Sequence, residues 1–185
     1  TEINNEFLPY NKCITKLELP NVEKIGDMFL YRNRGLKELN LPKAQTIKYG
    51  CLYNNKKLNK ESLPNVTVIG SAFLSFNQNI KEIHLPNVVR IGDSFLNDNF
   101  ELEEIELPKV EHIGDQFLSY NPCISKIYLP NVKKIGNDFL SHNDGLTSLD
   151  LPEVEQVGDW FLIDNRRLDD IYVPKLKYVG ENFLR

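Results

Sequence analysis

Eight prolines form a comb along the chain. Pro20, Pro42, Pro64, Pro86, Pro108, Pro130, Pro152 and Pro174 stand 22 residues apart, and only Pro9 and Pro122 fall outside the series. A fixed period of that length points to a stack of repeated units rather than a closed globule. The same phrase follows every comb proline. An apolar residue comes two positions on (Val22 to Leu176), an Ile or Val five positions on (Ile25 to Val179), and a Gly six positions on, with Lys48 as the exception. A Phe-Leu pair comes next, from Phe29-Leu30 to Phe183-Leu184, broken at Cys51-Leu52, and then an Asn column from Asn33 to Asn165. Each unit closes on L-x-x-L-x-L, as in Leu36-Lys37-Glu38-Leu39-Asn40-Leu41. Ile3, Phe7, Leu8 and Asn11 keep the phase near the start. Residues 1–185 therefore read as one solenoid of about eight 22-residue repeats, cut mid-repeat at both ends, with no linker.

The L-x-L ending places two apolar side chains on one face of a strand and one polar residue outward. Strands that recur in one direction after a full circuit must stack in parallel. Proline then ends each strand where no ladder N–H is needed. The V-x-x-I stretch turns the chain, and Gly is expected to supply a positive φ at the corner, with Asn4 the next-best residue at that phase. The G-D-x-F-L-x-x-N stretch reads as a helical turn, with Asp27, Asp93, Asp115 and Asp159 placed to cap it. The Asn column, polar within an apolar pattern, is expected to satisfy backbone groups in the turn that leads back to the strand. A single unit cannot bury enough apolar surface to offset the ordering of its backbone, so each depends on its neighbours.

Composition removes several function classes. Lys+Arg 22 against Asp+Glu 26 gives a net charge of −4, so the basic footprint of a nucleic-acid binder is absent. No apolar run approaches the length of a membrane-spanning helix. Met28 is the only Met, and Thr1 opens no signal-peptide pattern, so the chain reads as a piece of something longer.

On these residues the chain resembles leucine-rich repeat proteins, and most of all the bacterial-surface, Treponema-type (BspA-like) class, whose phrase is L-x-x-L-x-L-P-x-x-V-x-x-I-G-x-x-A-F-x-x-C-x-x-L. Leu146-Thr147-Ser148-Leu149-Asp150-Leu151-Pro152, Val154-Glu155-Gln156-Val157-Gly158, Phe161 and Asn165 carry the likeness. The repeat is one residue shorter than usual, Leu follows Phe where the class more often has Ala before it, and Asn stands in place of Cys. The resemblance implies an α/β repeat solenoid. In it a right-handed superhelix carries a parallel β-sheet on the concave face, and short strands and helical turns on the convex face. It also implies a non-enzymatic, extracellular or cell-surface module that binds a protein partner in adhesion.

The outward columns of the strand face are the candidate binding surface. Glu82, Glu104 and Glu106 cluster mid-way, near His84 and Tyr128, and Asp150 and Tyr172 continue the column. Tyrosines beside charges are typical interface anchors, whereas a solvated face kept acidic for solubility is the alternative. No cofactor is implied. His84, His112 and His142 fall at different phases and cannot converge on a metal, and no nucleophile or phosphate-loop motif surrounds any Ser, Cys or Gly. Cys13 and Cys123 share a phase five repeats apart, too far for a disulfide.

The third unit departs from the pattern, with Lys48 for Gly, Cys51 for Phe, and Glu61 where others have Leu or Ile. A buried unpaired carboxylate is costly, so Glu61 is expected to turn outward or the strand there to be distorted. Phe76, Phe100 and Ile163 are off-pattern on the convex side, where they either lean onto the core or mark a second contact patch. No polar caps are visible, which leaves caps in flanking sequence or end-to-end self-association. A protein-binding module is the leading function. A structural spacer or self-assembling solenoid, or the targeting domain of a larger enzyme, are the alternatives.

Overall fold

The computed structural model describes residues 1–184. Strands alternate between two kinds. Two-residue strands are β1 (Glu2–Ile3), β3 (Lys24–Ile25), β5 (Thr46–Ile47), β7 (Val68–Ile69), β9 (Arg90–Ile91), β11 (His112–Ile113), β13 (Lys134–Ile135), β15 (Gln156–Val157) and β17 (Tyr178–Val179). Three-residue strands are β2 (Lys16–Glu18), β4 (Glu38–Asn40), β6 (Lys60–Ser62), β8 (Glu82–His84), β10 (Glu104–Glu106), β12 (Lys126–Tyr128), β14 (Ser148–Asp150) and β16 (Asp170–Tyr172). The first kind comes from the V-x-x-I stretch and forms one continuous nine-stranded parallel sheet. The second comes from L-x-L and pairs in parallel at a constant offset of one repeat, as in Glu104↔Lys126. That face is divided into β2-β4-β6, β8-β10-β12 and β14-β16.

The comb proline has a more specific task than ending a strand. In most coils the N–H two positions after it closes a tight turn on the residue before it, as in Ala44 to Leu41 O (3.2 Å) and Val110 to Leu107 O (3.3 Å). Proline thus occupies the second position of a four-residue turn, where its fixed φ is pre-set.

The stretch expected to turn helically contains no helix, and the described residues form a β-solenoid rather than an α/β one. Every second residue there is left-handed: Met28, Leu30 and Arg32 have φ of 56°, 53° and 57°. Successive N–H groups then face opposite neighbours. Met28 donates forward to Tyr49 O (2.8 Å), Leu30 back to Phe7 O (2.9 Å), and Arg32 forward to Tyr53 O (2.8 Å). A helix would close these bonds within one coil and leave neighbours unjoined.

Two further expectations change for the same reason. The aspartates do not cap helices but form a ladder between coils: Asp93 Oδ1 accepts the N–H of Asp115 (2.9 Å), and Asp115 Oδ1 that of Asn137 (2.8 Å). The comb glycines have no positive φ. They are needed because coils approach closely there. A Cβ at Gly114 would lie 2.8 Å from both Asp93 N and Gly92 C. Only Gly50 among the glycines has a positive φ (66°), and it sits two positions after the comb phase, held here by Lys48.

The core runs down the axis. Phe73, Phe95, Phe117, Phe139 and Phe161 are fully buried and stack at centroid separations of 5.3–5.9 Å. Beside them runs the Asn column, and its expected structural role is met. Asn77, Asn99, Asn121 and Asn143 each donate their amide to a leucine carbonyl of the preceding coil and accept the N–H of the preceding Asn, as Asn121 does with Leu96 O (2.9 Å) and Asn99 N (3.1 Å), whereas Oδ1 of Asn33, Asn55 and Asn165 has no partner.

Candidate partner-binding face

The three-residue strands project their first and last side chains outward, so the predicted columns are real columns. The structure brings five of the seven candidate residues onto one sheet, β8-β10-β12. Glu104 lies in register between Glu82 and Lys126, and Glu106 between His84 and Tyr128. Asp150 and Tyr172 pair with each other on β14-β16, across a break in the ladder.

The acidic cluster is largely answered from within. Glu106 Oε2 lies 2.6 Å from His84 Nδ1, and Glu104 Oε2 lies 3.2 Å from Lys126 Nζ. Among the described residues Glu82 has no ion-pair partner. A cation arriving at this face must therefore compete with Lys126 and His84 or settle at Glu82. Tyr128 and Tyr172 stay 55% and 57% exposed, each standing beside a carboxylate of the neighbouring strand.

The other histidines are elsewhere. His112 lies on β11 of the continuous sheet, and His142 stacks on Tyr120 at 4.5 Å on the turn face. No group of three metal-ligating side chains forms among the described residues. Cys13 and Cys123 are exposed and free, while Cys51 is buried and donates to Gly26 O (3.1 Å). Phe76 and Phe100 do not lean onto the core. They are 40% and 46% exposed, and Phe76 packs on Tyr53 at 5.1 Å.

Glu61 does not turn outward. It keeps the inward register of Leu39 on the strand before it. Burial pushes its carboxyl up to about 7. Distortion appears instead on its other side, where β6 and β8 do not pair. Leu41 donates to Ser62 O (3.0 Å) and Asn59 to Lys37 O (3.1 Å), but Leu63 and Lys81 have no such bonds across the next interface. The corner before β8 is opened as well. Most corners close with a turn bond of the kind Leu58 makes to Asn55 O (2.9 Å), whereas Ile80 makes none and Asn79 reaches back to Lys56 O.

The result is an open cleft of about 900 Å³ that column reading missed. Lys37, Lys57, Lys60 and Lys81 line it, with Glu61, Ser62 and Leu63 on the β6 side and Glu82 and His84 on the β8 side. Three of these lysines lie in the corners that precede the strands, not in the outward columns. Their one sequence signal was recurrence at nearby phases in consecutive repeats.

Comparison with known proteins agrees with this architecture. No curated protein matches the chain. A leucine-rich repeat protein from Bacteroides ovatus, known from its crystal structure, is similar in fold, with a TM-score of 0.61 at 20% identity. The similarity covers 90% of this chain and 56% of that one, so the chain spans little more than half the neighbour's length. No helix of the described residues is long and apolar enough to cross a membrane. The family model of the BspA-type leucine-rich repeat region, six copies long, matches residues 1–124 and 71–185, and the chain belongs to that family.

Proposed function

We propose that the chain is a non-enzymatic protein-interaction module that holds its partner on the three-residue-strand face, as an adhesion element displayed outside the cell. Membership of a repeat family associated with protein interaction supports the general reading. The observation that carries the specific one is the pair Tyr128 and Tyr172. Each is a large amphipathic side chain more than half exposed, anchored on a backbone fixed by neighbouring coils, and set beside a carboxylate. Rigid aromatic groups flanked by charge gain contact area at small entropic cost. Glu82, His84, Glu104, Glu106 and Asp150 would supply the polar surround.

The test is capture of binding proteins from a host-cell surface extract by the immobilised chain, with identification of what is retained. Substituting Tyr128→Ala and Tyr172→Ala, and separately reversing Glu82, Glu104 and Glu106 to Lys, is expected to abolish retention of that partner. Unchanged retention by both variants removes this face from the function. A spacer that binds nothing predicts no specific retention by the parent chain, and a self-assembling solenoid predicts particle size that grows with concentration in light scattering.

A further inference from the structure

The cleft between β6 and β8 shares its missing ladder with the β12–β14 gap, but differs from it in charge and in the corner left open at Ile80, where Leu146 closes the other on Asn143 O (3.3 Å). Lys37, Lys57 and Lys60 are exposed and have no carboxylate within ion-pair distance among the described residues, and Lys81 meets Glu103 at 3.4 Å. Set against Glu82 and the inward Glu61, the lining is net positive, although the chain as a whole is net negative. Missing ladder bonds leave Leu63 N–H, Lys81 N–H and Glu82 N–H without a backbone partner across the gap. Ammonium groups and free N–H donors around one concavity make a site for carboxylate oxygens. The exposed strand edges favour an extended peptide as the carrier of those carboxylates, because a peptide offers main-chain acceptors as well.

We propose that this cleft docks an acidic peptide segment of the protein partner, with its carboxylates among Lys37, Lys57, Lys60 and Lys81 and its main chain against the open edges of β6 and β8. The inference rests on the reading that the strand face binds a protein, and it adds an orientation. The partner's acidic segment lies at the cleft, and its tyrosine-contacting part lies toward β12 and β16. Glu82 stands on the rim between the two and opposes an anion in the cleft. Burial keeps the Glu61 carboxyl near half-protonated at neutral pH, which lessens repulsion at the floor.

The whole chain is titrated at physiological ionic strength with fluorescein-labelled hexaglutamate, and in parallel with hexalysine and a sulfated hexasaccharide. Hexaglutamate is expected to bind, to shift the backbone amide resonances of Leu63, Lys81 and Glu82, and to weaken about tenfold or more when the four lysines are changed to Gln. All four side chains are exposed, so an unchanged circular dichroism spectrum is expected for that variant. Glu82→Gln is expected to tighten hexaglutamate severalfold, the opposite of its effect on a basic probe. No binding of hexaglutamate, or equal binding by the Gln variant, overturns the proposal. Binding of the sulfated oligosaccharide with hexaglutamate silent overturns it too, and reassigns the cleft to a glycan. These readouts need no natural partner, so loss of the protein-binding reading through the tyrosine variants would be seen separately.

Discussion

Asn99 Oδ1 accepts the backbone N–H of Asn77, 22 residues earlier, at 3.0 Å. Its amide nitrogen also donates to Leu74 O (3.1 Å) and to Asn97 O (3.0 Å). One fully buried side chain thus satisfies a donor and an acceptor of the preceding coil and an acceptor of its own. Asn99→Ala leaves those groups unpaired in the core, and is expected to cost about 2–4 kcal/mol. Asn165 donates to Leu140 O and Ile163 O, but its Oδ1 has no partner. Asn165→Ala is expected to cost roughly 1–2 kcal/mol less than Asn99→Ala. Urea denaturation of both variants, followed by circular dichroism, measures the difference.

This ladder was legible in the sequence because a polar residue recurring at one phase of an apolar pattern has few other uses. The comb prolines, the Phe column and the parallel strands were legible for the same reason. The turn face was not. Buried leucines such as Leu30 and Leu74 adopt φ of 53° and 55°, a region ordinary side chains seldom enter, and each is held there by bonds to the coils on either side. No local residue preference signals that arrangement. The cleft was hidden for a related reason. It depends on a turn bond that Ile80 fails to make and on a ladder that β6 and β8 do not form, whereas Ile80 and Ile83 fit the repeat pattern. The acidic cluster was visible as a set of residues, but the pairing of Glu106 with His84 and of Glu104 with Lys126 follows only from register.

The glycines separate two causes that look alike in sequence. At Gly114 an added Cβ would sit 2.8 Å from backbone atoms of the preceding coil, so Gly114→Ala forces coils apart and is expected to cost about 2–4 kcal/mol. At Gly50 the nearest atom is Met28 Cγ, 3.7 Å away, and Ala72 and Ser94 already take φ of 58° and 54° at the same phase. Gly50→Ala meets no backbone and carries only the strain of its left-handed φ, so it is expected to cost about 1–2 kcal/mol, less than Gly114→Ala. Thermal melts of the two single variants test this contrast, and a larger loss at Gly50 would reverse the assignment.

Cysteine reactivity should divide in the same structural way. Cys13 and Cys123 are exposed, whereas Cys51 is buried at a phase that holds Phe in the other units. Burial pushes the Cys51 thiol up to about 12, so almost none of it is the reactive thiolate near pH 8. A chromogenic disulfide reagent is expected to react quickly with two thiols of the native chain, and with the third only after denaturant is added. Rapid reaction of all three would mean that the coil around Cys51 opens readily.

Glu61 makes stability depend on pH in a direction opposite to most carboxylates. Burial raises its carboxyl from 4.5 to about 7 in the folded chain. Between those values the folded state holds a proton that the unfolded state has released, so folding is favoured at lower pH, and stability falls as pH rises from about 4.5 to about 7. Above that window Glu61 is charged in both states and the full penalty is present, on the order of 2–3 kcal/mol. Glu61→Leu restores the residue type that Leu39 supplies one coil earlier, and is expected to raise stability at pH 8 by about 2–4 kcal/mol. Glu61→Gln should flatten the pH dependence without adding apolar contact, so it separates the charge from the packing. Urea midpoints at pH 5 and pH 8 for the parent chain and both variants decide the matter. A parent chain whose stability rises across that interval, by an amount that Glu61→Gln leaves untouched, would place the carboxyl in solvent instead of on the floor of the cleft.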